Sequence, residues 1–267
     1  MALFAPELEA LRKRKRFRAL MPAQGIDFSS NDYLGFSRHP ALLASLHEAL
    51  DKDGAAGAGA SRLLRGHHAA HAELEKFAAD FFDSPKALYF GSGFLANFAL
   101  FSTLPSRHDA VIMDERIHAS VKEGVHAGTA QAYKAQHNDL ENFSEILKRA
   151  RAKGAQRIFI AVESVYSMDG DLAPLPDLFV LAREHDAILV VDEAHATGIF
   201  GPEGRGLSEG LTGGNLIVVH TCGKALGVAG ALVTGASGII DFLINADRKS
   251  TRLNSSHVSE SRMPSSA

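Results

Sequence analysis

The stretch "AILVVDEAHATGIFG" (187–201) decides how this chain folds. It begins as an unbroken apolar run of strand length, ends on the carboxylate of Asp192, and places His195 three residues later. A strand with no polar alternation is buried on both faces, as in a parallel sheet covered by helices. Outward from it, "KALYF" (86–90), "DAVIM" (109–113), "RIFIAV" (157–162) and "NLIVVHT" (215–221) repeat the same signature. Between most of them lie segments with helical spacing, such as "LENFSEILKRARAKG" (140–154) and "LPDLFVLAREHD" (175–186). The alternation predicts an α/β fold, a mostly parallel sheet with helices on both faces. Ligands of such sheets bind beyond the carboxyl ends of the strands, so the residues just after each strand are the candidates.

Residues 1–85 read differently. "APELEAL" (5–11) and the basic run "RKRKRFR" (12–18) fit one helix with a solvated face, and "SSNDYLGFSRHP" (29–40) is rich in turn formers. A helix follows from Pro40, then the glycine-rich "GAAGAGASRLLRGHH" (54–68), then a further helix, "AHAELEKFAADFF" (70–82). The predicted organisation is an N-terminal helix and arm over 1–40, a large domain over 41–248, and a tail over 249–267. That tail, "KSTRLNSSHVSESRMPSSA", is serine-rich and lacks apolar periodicity; it resembles translated vector sequence and is expected to be non-native and disordered. With 46% hydrophobic residues among 267, the chain can bury one large core. Its net charge of −3 gives no electrostatic reason to expect nucleic acid or an anionic membrane. A single cysteine, Cys222, excludes an intramolecular disulfide and suits a reducing, cytoplasmic setting. No window approaches the roughly 20 apolar residues of a membrane span.

Two chemistries use an acid at such a strand end. A DEAH box in a nucleic-acid-dependent ATPase holds the magnesium of bound ATP, but that needs a phosphate loop G-x-x-x-x-G-K-[ST]. Gly223-Lys224 is the one Gly-Lys pair; Ala225 follows it, Val218 stands where the first glycine belongs, and it lies downstream of the box. Gly57 and Gly59 do not complete G-x-G-x-x-G either, because Arg62 occupies the third glycine position. The ATPase reading fails. In the other chemistry, Lys224 lies among small residues after an apolar strand, where a desolvated amine of lowered pKa can form a Schiff base with pyridoxal phosphate. "GSG" (91–93) between a strand and an apolar helix offers free N–H groups to a phosphate. Asp192 would hold the proton of the pyridine nitrogen. His67, His68 and His71 are close in sequence, but no ligand set is completed around them and no metal is assigned.

These motifs, together with "SNDYLG" (30–35), "GASRLLRGHHAAHAELE" (59–75), "GSGFLAN" (91–97), "IHAS" (117–120), "ESVYSMDGDLAPL" (163–175), "DEAHATGIFGPEGRG" (192–206) and "TCGKALGVAGA" (221–231), closely resemble the α-oxoamine synthases. These are fold-type I pyridoxal-phosphate enzymes, and the resemblance covers nearly all of residues 7–248. It implies that Lys224 is the Schiff-base lysine, that Asp192 pairs with the pyridine nitrogen, and that His195 bonds the ring's phenolic oxygen. His118 would stack on the ring, Ser167 would reach the same oxygen, and Thr221, Gly93 and Phe94 would bind the phosphate. Asn31, Arg16 and Arg18 would be substrate contacts. The implied activity is condensation of L-alanine with pimeloyl-CoA or a pimeloyl carrier protein, with loss of carbon dioxide, in a homodimer. Sister activities use glycine or serine with other acyl-CoAs, and some family subunits are non-catalytic. The resemblance further implies a small C-terminal domain that is missing here, leaving a fragment expected to be inactive as written.

Overall fold

A computed structural model describes residues 3–22, 24–54 and 57–246; the tail expected over 249–267 lies outside them. By compactness the chain divides into Met1–Ser30 and Asn31–Ala267. The first unit holds helix α1 (Ala5–Lys13), with proline in its first turn and Arg12 and Lys13 in its last, where the helix dipole favours cations. Arg16 and Arg18 follow it, exposed.

In the second unit, helices α2 (Pro40–Asp53) and α3 (Ala69–Phe81) precede the sheet. Strand β1 (Lys86–Phe90) leads into α4 (Gly93–Thr103), and β2 (Ala110–Asp114) into α5 (Ala119–Ala127). Then come β3 (Gln131–Ala135), α6 (Leu140–Ala152), β4 (Ile158–Glu163) and α7 (Leu175–Glu184). The described chain closes with β5 (Ile188–Asp192), β6 (Leu216–Thr221), β7 (Ala231–Gly235) and α8 (Ser237–Ala246).

The seven strands form one sheet in the order β1-β7-β6-β5-β4-β2-β3. Only β7 runs against its neighbours; the other six point the same way. Their carboxyl ends therefore share one edge. The predicted mixed architecture is the observed one, with β3 and β7 added. β3 is an edge strand with most of "QAYKA" solvated, so it shows no apolar run. β7 follows a glycine-rich turn, and Gly230 there has φ +112 with Tyr89 packed where a Cβ would stand.

Both faces of the sheet are covered. Ile158, Ile160 and Val162 of β4 point into a core shared with Phe143, Ile146 and Leu147 of α6 and Leu178 of α7. Phe159 and Ala161 point the other way, into a core with Leu100 and Phe101 of α4, Val121 of α5 and Ile240 of α8. Each such side chain contributes about 1.5–3 kcal/mol on full burial. α6 shows why its sequence is helical: Phe143, Ile146, Leu147 and Ala150 follow the i, i+3, i+4, i+7 spacing, and the Asp139 carboxylate caps it by accepting from Asn142 N at 3.0 Å. On the solvent side of β1, Glu75 of α3 accepts from Tyr89 N and from Arg62 at 2.8 and 2.7 Å, tying the glycine-rich segment to the sheet.

Candidate active site

Strand parity decides which side chains converge. In β5, Leu189 and Val191 face the α6–α7 core while Val190 faces α4, so Asp192 emerges on the α4 side. The same count in β4 and β6 puts Glu163 and Thr221 on that side and His220 on the opposite one. Glu163 and Asp192 are register partners on adjacent strands, only 3% and 6% exposed. Together with Gly93, Asn97, His118, Ser120 and Lys224, these residues line a cleft of about 120 Å³. Lys224 and Asp192 thus share one cavity on one side of the sheet.

Two hydrogen-bond chains run from it. In the first, Asn97 Nδ2 donates to Asp192 Oδ2 at 2.7 Å and to Ser120 Oγ at 3.0 Å. Ser120 Oγ lies 2.8 Å from His118 Nδ1. The other Asp192 oxygen accepts from Ala194 N at 2.9 Å. In the second chain, Lys224 Nζ lies 2.6 Å from His195 Nε2, and His195 Nδ1 lies 2.6 Å from the Tyr33 hydroxyl. Tyr33 in turn donates to Asn31 Oδ1 at 3.1 Å.

Charge is costly in this cleft, and the titrating groups show it. Burial, reinforced by the Asp192 charge, pushes Glu163 up to about 7, against the pull of Lys224 and of the backbone N–H groups of His118 and Ser167. Burial lowers Lys224, opposed by Asp192 and Glu163. His195 is pushed down to about 4 by burial and by Lys224 and His118, so its ring is neutral at physiological pH. A depressed lysine amine beside a neutral imidazole is an arrangement suited to nucleophilic and base chemistry.

The expected phosphate cradle has a physical basis. α4 begins at Gly93 with Ser92 as its cap, its hydroxyl accepting from Leu95 N at 3.2 Å. A Cβ at Gly93 would lie 3.0 Å from Thr221 Oγ1, so glycine there lets the helix start approach the β6 end. Phe94 is half-exposed and packs toward Phe98, its backbone bordering the cleft. Ser167 stands apart: its side chain is exposed on the turn after β4, outside the cleft lining, and its backbone N–H faces Glu163. Asn31 reaches the site through Tyr33. His68 and His71 form a reciprocal cap at the start of α3, and His67 lies against Arg62.

Four residues carry no role in the sequence reading: Glu163, Asn97 and Ser120 in the cleft, and Tyr33, which reaches it through His195. Glu163 ends "RIFIAVE" as Asp192 ends "AILVVD", a matching signal on the neighbouring strand. Asn97 is the sole amide in the apolar run "GFLANFALF", and a lone polar residue on a buried helix needs a partner.

The chain belongs to the aminotransferase class I and II family, whose model matches residues 23–263. That match continues beyond Arg248, where the motif resemblance stops. It is similar to 8-amino-7-oxononanoate synthase of Chromobacterium violaceum, 42% identical over 254 residues, covering 91% of this chain and 65% of that protein. Among solved structures, an 8-amino-7-oxononanoate synthase from Francisella tularensis superposes with TM-score 0.72 at 31% identity, over 87% of this chain and 64% of that one. Serine palmitoyltransferase from S. paucimobilis, with bound pyridoxal phosphate and myriocin, gives TM-score 0.81 at 31% identity, over 92% and 67%. The chain spans from 51% to 65% of the length of the first two curated relatives it matches. Among the described residues no helix is long and apolar enough to cross a membrane.

Proposed function

We propose that the chain carries the cofactor-binding domain of a pyridoxal-phosphate-dependent α-oxoamine synthase. Its reaction would be condensation of L-alanine with a pimeloyl thioester, on coenzyme A or a carrier protein, giving 8-amino-7-oxononanoate for biotin synthesis. The observation that supports this best is convergence: a half-buried amine, a buried carboxylate and a helix N-terminus with a threonine hydroxyl border one cleft. These are the complements of an aldehyde, a pyridine nitrogen and a phosphate, so the residues present fit the group. Relatives at 41–44% identity that bear the synthase name support the choice of substrates.

When bound, the cofactor supplies an electron sink for the amino acid's α-carbon. The residues do the rest. Lys224 would hold the cofactor aldehyde through Nζ and would be the base for the amino acid's α-proton, a role that the lowering of its pKa by burial favours. Asp192 would hold a proton on the ring nitrogen. His195 and Ser167 would serve the phenolic oxygen. The N–H groups at Gly93 and Phe94, with Thr221, would hold the phosphate. His118 would lie against the ring and orient the thioester carbonyl. Asn31, Arg16 and Arg18 are assigned to the substrate, and the working unit is a homodimer.

The test is visible absorbance after adding pyridoxal phosphate to the protein and to Lys224→Ala. The expected result is a lysine-bound band in the first and none in the second; the same band in both removes Lys224 from its role. A second reading, a serine palmitoyltransferase type, is favoured by the higher structural score of that enzyme. Condensation assays pairing alanine, glycine and serine with pimeloyl, acetyl, succinyl and palmitoyl thioesters separate the two, with alanine and pimeloyl expected to turn over fastest.

A further inference from the structure

The first hydrogen-bond chain has a direction that its atoms enforce. His118 is the N-cap of α5: its Nδ1 accepts the backbone N–H of Ser120 at 3.2 Å. A backbone amide can only donate, so Nδ1 must hold a lone pair and the ring proton must sit on Nε2. The Ser120 hydroxyl, 2.8 Å from the same nitrogen, then turns its one hydrogen toward it and is left to accept. It accepts from Asn97 Nδ2, whose second hydrogen goes to Asp192 Oδ2. An inverted Asn97 amide would set oxygen against carboxylate. The observed orientation instead leaves Asn97 Oδ1 buried without a partner, which is the cost of aiming both hydrogens at the site. Asn97 and Ser120 are 2% and 0% exposed, so these contacts are made inside the protein.

We infer that Asn97 and Ser120 are positioning residues that bind Asp192 and His118 into one directed unit, fixing the carboxylate and holding the His118 proton at Nε2. Nδ1 is committed, so Nε2–H is the donor His118 offers to whatever enters the cleft it lines. On the functional reading above, on which this use of the unit rests, that donor serves the carbonyl or carboxylate oxygen of a substrate. It cannot act there as a base.

The test reads nitrogen, not turnover. Protein labelled with ¹⁵N-histidine, without added cofactor, is examined by long-range ¹H–¹⁵N correlation, with His118→Gln identifying the His118 signals. The expected pattern is a single Nε2–H tautomer whose bare Nδ1 signal is displaced by the hydrogen bonds it accepts. In Ser120→Ala that signal moves toward the value of an unbonded nitrogen. In Asn97→Leu it moves the same way but less, because the freed hydroxyl is no longer held. In Asn97→Asp the new carboxylate captures the Ser120 hydroxyl hydrogen, so the Nδ1 signal moves as in Ser120→Ala while the backbone N–H of residue 120 keeps the Nε2–H tautomer. A wild-type Nδ1–H pattern, or an unmoved Nδ1 signal in Ser120→Ala, overturns the inference. Ser120→Ala removes one oxygen and keeps the backbone cap, so it decides the matter even where the Asn97 variants do not fold. Intact nitrogen signals in a protein that fails to take up pyridoxal phosphate would instead sink the functional reading and leave the directed unit standing.

Discussion

The two hydrogen-bond chains that leave the cleft differ in what they permit. The chain from Asp192 through Asn97 is buried as far as Ser120, with exposed His118 at its end, and has one-way ends, a carboxylate that only accepts and a backbone N–H that only donates. The chain from Lys224 through His195 and Tyr33 to Asn31 reaches the surface, where Tyr33 is 44% exposed. As drawn, Tyr33 donates to Asn31, so His195 gives its Nδ1 proton to Tyr33 and accepts from Lys224 at Nε2. Yet an imidazole and a hydroxyl can each turn round: with Nε2 protonated and the hydroxyl aimed at Nδ1, the same distances serve the reverse direction. One chain is fixed where orientation must not change. The other is reversible beside the Lys224 amine. The two histidines accordingly rest in opposite tautomers.

The largest expected effect tests what keeps the fixed chain pointing one way. Beside its anchor on the next strand stands Glu163, which burial and the Asp192 charge push up to about 7. Glu163 is raised from 4.5 to about 7 in the fold, so between those values the folded state binds the proton and the unfolded state does not. Its stabilising contribution is complete below pH 4.5 and is lost as pH rises through 7, a change of about 3 kcal/mol. His195, lowered to about 4, acts oppositely: its contribution is complete above 6.5 and fades as pH falls toward 4. Glu163→Gln removes the first and keeps the second. Urea unfolding of the variant and wild type from pH 4.5 to 8 is expected to show a stability difference growing in the variant's favour by about 3 kcal/mol. A difference independent of pH would mean that Glu163 is ionised in the fold.

Next in size is Asp192→Asn. Asparagine keeps an acceptor oxygen for only one of the Asn97 and Ala194 N–H groups and turns its own NH2 toward the other, and the charge that would hold a protonated ring nitrogen is gone. Affinity for pyridoxal phosphate, measured by absorbance titration, is expected to fall about 10- to 100-fold, the range for losing a charged hydrogen-bond partner. Removing the Asp192 charge also lowers Glu163, so the pH dependence described above should shrink in this variant. A loss of affinity without that shrinkage would separate the two carboxylates.

What the sequence disclosed follows the same division. Asp192, Lys224 and Gly93 were legible because each closes or follows an apolar run, and an α/β sheet gathers strand ends on one edge whatever lies between. His118 and His195 came with their motifs. Tyr33 was not legible: it sits in a turn-rich stretch without periodicity, 162 residues from the histidine it meets. Asn97 read as part of an apolar helix, because which of its neighbours faces Asp192 depends on how α4 crosses the sheet. β3 was hidden by its solvated face, and the exposed position of Ser167 depends on the turn after β4, which strand patterning does not reach. Periodicity reports the end of an element; it is silent on the partner waiting there.

The smallest effect separates the chains most cleanly. Tyr33→Phe takes a hydroxyl from both His195 Nδ1 and Asn31 Oδ1. Both contacts lie at a surface where water supplies the missing donor and acceptor, so urea unfolding should register less than about 1 kcal/mol. Ser120→Ala also removes one hydroxyl, but in a buried site, and it strands an Asn97 hydrogen; its cost should be the greater, about 1–3 kcal/mol. The nitrogen signals should divide the other way. His195, freed from Tyr33, is expected to populate both tautomers, whereas His118 in Ser120→Ala keeps its Nε2 proton because the backbone N–H of residue 120 still points at Nδ1. If Tyr33→Phe proved the costlier change and His195 stayed in one tautomer, the exposed chain would be the rigid one, and the contrast between a fixed and a reversible arm would have to be inverted.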